Sequence, residues 1–148
     1  MGSYRQILYH LIFNTWDKRH VLPADHRPAL FRYIGGIVRK NNCVLYEING
    51  VENHLHMLTD LHPSLALADL MKDIKVASSK WIKASGNFPE FTSWAEGYGA
   101  LTYAWRDKHM IANYICKQVE HHRTVNFPDE YRKLLEEHGV EIDEHYFL

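Results

Sequence analysis

Apolar and polar positions alternate in two distinct rhythms along this chain, and the rhythms predict its elements. Residues 4–14 are rich in aromatic and branched side chains and read as a buried strand. Ala29 to Lys40 carries Leu30, Ile34, Ile37 and Val38 at roughly helical spacing, with Gly35-Gly36 either weakening the helix or marking a close helix–sheet contact and Asn41-Asn42 as its end. Cys43 to Ile48 and Val51 to Leu61 read as strands joined by an Asn49-Gly50 turn. His62-Pro63-Ser64 breaks the chain, and Ser64 or Asp69 caps a helix running to about Ser85 with Leu67, Leu70, Ile74 and Trp81 inward. Gly86 to Gly97 is a loop. Tyr98 to Arg106 reads as a short strand, Lys108 to His122 and Pro128 to His138 as helices, and Glu141 to Leu148 as an acidic, aromatic tail.

The order strand, helix, strand, strand, helix, strand, then two helices predicts an α+β fold. Its core is a ferredoxin-like split β-α-β unit with an antiparallel sheet, followed by C-terminal helices. A length of 148 residues suits one domain, 1–148. That fold serves many functions, so function is read from the site.

Composition narrows the classes. Seventeen basic against eighteen acidic residues give a net charge of -1, so any nucleic-acid contact rests on a local patch rather than on bulk charge. No apolar run is long enough to span a membrane, and the N-terminus lacks the zones of a signal peptide. Cys43 and Cys116 form no CxxC pair. Reduced thiols and a cytoplasmic location are the simplest expectation. Eleven histidines direct attention to metal sites.

The sharpest local feature is His54-Leu55-His56 within a predicted strand. Side chains two apart share a strand face, with Cα atoms about 6.5–7 Å apart, so both imidazoles can converge on one ion. Leu55, Met57 and Thr59 then point the other way, toward the helices. Two ligands leave a site incomplete, so a third comes from elsewhere. Along the helix from Lys108, Ile111, Ile115 and Val119 form an apolar stripe, while Tyr114 and Gln118 are four apart and lie one above the other. A tyrosine nucleophile and an amide-oxygen ligand so placed meet one phosphate together. Two histidines and a glutamine leave coordination positions for a phosphate oxygen and water. Each pair also has a plain reading, as sheet-face histidines or as a core tyrosine with an exposed glutamine.

At these residues the sequence resembles the single-tyrosine HUH transposases of the smallest bacterial insertion sequences. His54-Leu55-His56 matches the histidine–hydrophobic–histidine motif, and Tyr114-Ile115-x-x-Gln118-x-x-His121-His122 matches the tyrosine helix. Trp94-x-x-Gly97-Tyr98-Gly99-Ala100, Phe127 to Tyr131 and the closing tail extend the likeness over nearly the whole chain. The strand before the tyrosine helix departs from the family in lacking serines.

The resemblance implies Tyr114 as catalytic nucleophile, with a 5′-phosphotyrosine intermediate, and His54, His56 and Gln118 as ligands of Mg²⁺ or Mn²⁺. It also implies single-stranded DNA with hairpin structure as substrate, and a homodimer whose tyrosine helix can pack against the partner, so that the site is either composite, one chain's histidines with the other's tyrosine, or assembled within one chain. Candidate DNA contacts are Arg5, Lys72, Lys75, Arg106, His121 and His122. The tryptophans Trp16, Trp81, Trp94 and Trp105 are candidates for stacking on bases, and Asp60 for supporting the histidine pair. Two other readings compete: a domesticated hairpin-binding protein that keeps the fold without transposition, and a metal-dependent phosphodiesterase that uses water.

Overall fold

A computed structural model describes residues 2–147. Met1 and Leu148, the outermost residues of the expected domain and tail, lie outside it. Four strands form one antiparallel sheet: β1 (Tyr9–Asn14), β2 (Leu45–Gly50), β3 (His54–Thr59) and β4 (Gly99–Thr102). Their order, β2-β3-β1-β4, is that of the expected ferredoxin-like unit. The helices are α1 (Arg27–Lys40), α2 (Leu67–Ser85), α3 (Lys108–Cys116), the single turn α4 (Gln118–His121) and α5 (Phe127–Glu137).

Strand alternation divides the sheet into two faces. Leu11 and Phe13 of β1 and Leu55 and Met57 of β3 enter the main core, where α1 and α2 supply Leu30, Ile34, Val38, Leu70 and Ile74. Burying each such side chain contributes about 1.5–3 kcal/mol. Gly35 faces β2, where a Cβ would stand in ordinary contact with the Leu45 side chain, 3.4 Å away. The opposite face carries His10, Ile12 and Asn14, in register with Leu58, His56 and His54. Here α3 packs Ile111 and Ile115 on Leu8 and Leu58, and α5 packs Phe127 and Leu135 on Ile12 and Leu101. The functional residues lie between these two small apolar clusters.

Several elements differ from expectation. Neither Ser64 nor Asp69 caps α2, whose N-cap is Ala66 with no side-chain bond, and the strand expected over Tyr98 to Arg106 is only Gly99–Thr102. Val119, placed in the apolar stripe, is exposed because the helix breaks before it. The first strand begins at Tyr9, because residues 4–8 have no ladder partner. The predicted helix from Lys108 to His122 is broken at Lys117 (φ -96°, ψ 18°). Asn49-Gly50 is not the hairpin turn: both residues pair within β2, and the loop is 51–53. Gly50 is there for close approach, since a Cβ would collide with the His54 carbonyl oxygen and the Leu55 side chain.

Asn49 has a different task. Its Nδ2 donates to the carbonyls of Ile115 (3.1 Å) and Cys116 (2.9 Å), at the C-terminal end of α3. Helix ends leave such acceptors unpaired, so a strand residue caps the tyrosine helix where it breaks. Asn49→Ala is expected to lower stability by about 1–2 kcal/mol. Thermal unfolding checks this; an unchanged melting temperature would mean that water replaces the amide at no cost.

Candidate metal and tyrosine site

The hairpin places His54 and His56 on the face away from α1 and α2, both fully buried. The His54 ring stacks on Phe127, with centroids 3.9 Å apart and planes 15° apart. Its Nδ1 lies 2.8 Å from Asn53 Oδ1. The His56 Nδ1 lies 2.7 Å from His10 Nε2. Partners at Nδ1 fix both rings and turn both Nε2 atoms to the same point, as supporting groups do around metal-binding histidines.

Facing them from α5 is Glu130, buried in the first helical turn. Its Oε1 is 3.3 Å from His54 Nε2, 3.1 Å from His56 Nε2 and 2.8 Å from His122 Nε2. Its Oε2 accepts from the Tyr114 hydroxyl and, at 3.0 Å, from Gln118 Nε2. His121 Nε2 is 3.4 Å from the same oxygen. Gln118 presents its Oε1 to His54 Nε2 at 3.4 Å. Despite the break at Lys117, Tyr114 and Gln118 therefore meet at one carboxylate. His54, His56, His122 and Glu130 offer ligand atoms all within 4.8 Å of one another, a donor set of imidazole and oxygen that suits a divalent cation.

Burial sets the electrostatics. It depresses His54 to about 4, keeping the imidazole neutral at physiological pH, with the charge of Glu130 opposing the shift. Burial also pushes His10 well below its ordinary value, helped by His56. The Tyr114 phenol is pushed far above its usual range by burial first and then by the adjacent Glu130 charge. Burial alone would raise Glu130, but the His122, His54 and His56 nitrogens outweigh it and hold the carboxyl well below the usual range. A nearby cation would lower the cost of forming phenolate.

The site thus unites His54, His56, Tyr114, Gln118, His121 and His122 within one chain. The other candidates lie elsewhere. Lys72 and Lys75 are on α2, across the sheet from the histidines, and Lys75 Nζ donates to the carbonyls of Ala95 (2.9 Å) and Gly97. Arg5 and Arg106 are exposed. Arg5 lines a hollow with Tyr4, Tyr46 and Trp105, and Lys108 lies 4.9 Å from the Trp105 ring centroid. Trp94 is buried against Phe13 and Trp81 stacks on Tyr33, whereas Trp16 and Trp105 are about half exposed. Asp60 lies beyond the end of β3 and accepts from the Val44 N–H at 2.7 Å, away from the histidines.

Sequence reasoning missed Glu130 and gave His10 no role. Glu130 stands four residues after the cap Asn126, whose side chain accepts from Asp129 N–H. An acid in the first turn of a helix reads as a favourable dipole contact and nothing more. His10 was hidden by its setting, a lone polar residue in an apolar strand. Its one available signal is that it shares a strand face with Ile12 and Asn14.

Comparison with known proteins places this architecture among the transposases. The ISDra2 transposase TnpA of Deinococcus radiodurans is 24% identical over 124 residues, covering 79% of this chain and 87% of that protein. A crystal structure of a candidate transposase from Deinococcus radiodurans superposes with a TM-score of 0.61 at 24% identity, over 80% of this chain and 95% of the other. A REP-associated tyrosine transposase bound to a REP hairpin superposes at 0.60 with 16% identity, over 84% and 76%. The family model described as IS200-like transposase matches residues 3–118, and the chain belongs to that family. Among the described residues no helix is long and apolar enough to cross a membrane.

Proposed function

We propose that this transposase cleaves and rejoins single-stranded DNA at the ends of an insertion sequence, with Tyr114 as the nucleophile. The observation that carries this reading is the convergence of the Tyr114 hydroxyl, Gln118 and the His54–His56 pair on one buried carboxylate. A tyrosine placed only for packing has no need of that company.

His54, His56 and Gln118 would hold Mg²⁺ or Mn²⁺, which when bound polarises the scissile phosphate and offsets charge developing on it. Glu130 and the α3 backbone orient the Tyr114 oxygen. That oxygen attacks phosphorus as its proton passes to Glu130 Oε2, a phosphorus–oxygen bond to Tyr114 forms, the bond to the 3′ oxygen breaks, and the leaving oxygen takes up a proton from water. The products are a 5′-phosphotyrosine and a free 3′-hydroxyl. Attack by a 3′-hydroxyl reverses the step and rejoins strands without ATP. Tyr114, His121 and His122 are the partly exposed members of the site, so the phosphate approaches from their side.

A hairpin substrate follows from family membership and from the hairpin held by the REP-associated relative. Arg5, Arg106 and Trp105 are the basic and aromatic side chains placed to meet it, with His121 and His122 nearer the phosphate. Lys72 and Lys75 are secondary candidates, given their place across the sheet. A cytoplasmic homodimer completes the reading. The resemblance supports the dimer, while the meeting of Tyr114 with Glu130 of its own chain supports a site assembled within one subunit.

With single-stranded hairpin oligonucleotides, chelation is expected to abolish cleavage and Mn²⁺ to restore it. His56→Ala is expected to lower the rate by about 10²-fold or more, since it removes a ligand. Cleavage by His56→Ala at the normal rate in chelator would end the metal part of this reading.

A further inference from the structure

The hydrogen atoms around Glu130 do not add up without a cation. Asn53 donates its amide to the Lys18 carbonyl (3.3 Å), which turns its Oδ1 toward His54. His54 therefore carries its ring proton on Nδ1 and presents a bare Nε2. Gln118 donates its amide to Glu130 Oε2, which turns its Oε1 toward that same nitrogen. Glu130 Oε1 is the third atom of the group. His54 Nε2 thus faces two other lone-pair atoms, Gln118 Oε1 at 3.4 Å and Glu130 Oε1 at 3.3 Å, with no hydrogen between, while His56 Nε2 lies 3.1 Å from Glu130 Oε1, within hydrogen-bond length.

Buried acceptors so arranged repel unless positive charge stands among them. Atoms that share one ion at about 2.0–2.1 Å are themselves about 2.8–3.0 Å apart in octahedral geometry and about 3.3–3.4 Å apart in tetrahedral geometry. The observed separations fall within these bounds. The His122–Glu130 contact, at 2.8 Å, is a full-strength hydrogen bond, so His122 donates to the carboxylate and steadies it.

We propose that Glu130 is itself a metal ligand. Its Oε1 completes a site with His54 Nε2, His56 Nε2 and Gln118 Oε1, while its Oε2 holds the Tyr114 hydroxyl. This deepens the function proposed above and rests on its metal. The residue lies beyond residues 3–118, the span matched by the family model, so α5 contributes to the centre from outside that region. The added carboxylate brings a second hard oxygen, which favours Mg²⁺ and Mn²⁺ over softer ions, and leaves one net positive charge to attract a phosphate. It also links ion and nucleophile through one rigid group, so filling the site fixes where the phenol oxygen stands.

The test is Mn²⁺ binding to chelator-treated, dialysed protein without DNA, followed by the electron paramagnetic resonance of free Mn²⁺ and by the Mn²⁺-induced rise in melting temperature. The native chain is expected to show one site that His56→Ala removes. Glu130→Gln is expected to weaken it by at least about tenfold and to shrink the thermal shift, while the metal-free fold persists because the amide relieves the repulsion. Glu130→Asp, which keeps the charge but withdraws the oxygen, is expected to weaken it as well and serves if the glutamine variant does not fold. Binding by Glu130→Gln as tight as or tighter than the native chain, with His56→Ala still defective, would overturn the assignment and make Glu130 a placeholder that the ion displaces. Absence of His56-dependent binding in the native chain would overturn both the assignment and the metal part of the proposed function.

Discussion

Tyr114→Phe is expected to abolish strand cleavage and the covalent protein–DNA adduct, a fall of at least about 10³-fold. The substitution removes one oxygen and keeps the ring, whose edge faces His10 and His56. Glu130 Oε2 keeps Gln118 Nε2 as a donor, so the stability cost is about 1 kcal/mol. Hairpin binding is expected to persist, because Arg5, Arg106 and Trp105 are untouched. The assay is denaturing electrophoresis of labelled hairpin oligonucleotide with Mn²⁺, alongside a binding measurement. An active Tyr114→Phe protein would sink the nucleophile assignment and favour a phosphodiesterase that uses water. Mixing Tyr114→Phe with His56→Ala subunits adds a second readout. Since Tyr114 reaches the carboxylate of its own chain, the mixture is expected to remain inactive. Restored cleavage would mean that the tyrosine helices exchange between subunits when DNA binds.

Gly50→Ala has the largest expected effect on stability, about 2–3 kcal/mol, or a fall in melting temperature of about 5–10 °C. The added methyl meets the Leu55 side chain and also backbone, the His54 carbonyl oxygen, so movement of a side-chain end alone does not relieve it. Relief therefore requires the 51–53 loop to open, which drags His54 from its stack on Phe127 and weakens Mn²⁺ binding in step. Gly36→Ala is the control. It lies within α1, where the nearest atom to a new Cβ is the Arg39 guanidinium at 4.0 Å. It is expected to be neutral or stabilising by about 0.5–1 kcal/mol. Equal melting temperatures for Gly50→Ala and the native chain would show that the hairpin has slack where none is drawn.

Local pattern determined much of this protein. The alternation through residues 54–59 set which side of β3 meets the helices, so the opposite placement of His54 and His56 was legible before any fold was known. The four-residue spacing of Tyr114 and Gln118 fixed their common side, and their meeting at Glu130 survives the break at Lys117 because both lie within one turn of it. The order of elements was sufficient for the sheet topology, since split β-α-β connections allow few arrangements. Tertiary structure decided what spacing cannot carry. Glu130 lies 74 residues from its partner His56 and His10 lies 46, and neither separation has a period to reveal it. Asn49-Gly50 carried a genuine turn signal, yet the chain used Gly50 for close backbone approach and Asn49 to cap α3, because pairing β2 with β3 through Gly50 and Leu55 satisfies more backbone than an earlier turn would. Lys75 looked like a phosphate contact by composition, but its partners, the carbonyls of Ala95 and Gly97, come from a loop brought beside α2 only when the core closes. In each case the deciding partner is remote in sequence, and only burial brings it within hydrogen-bond reach.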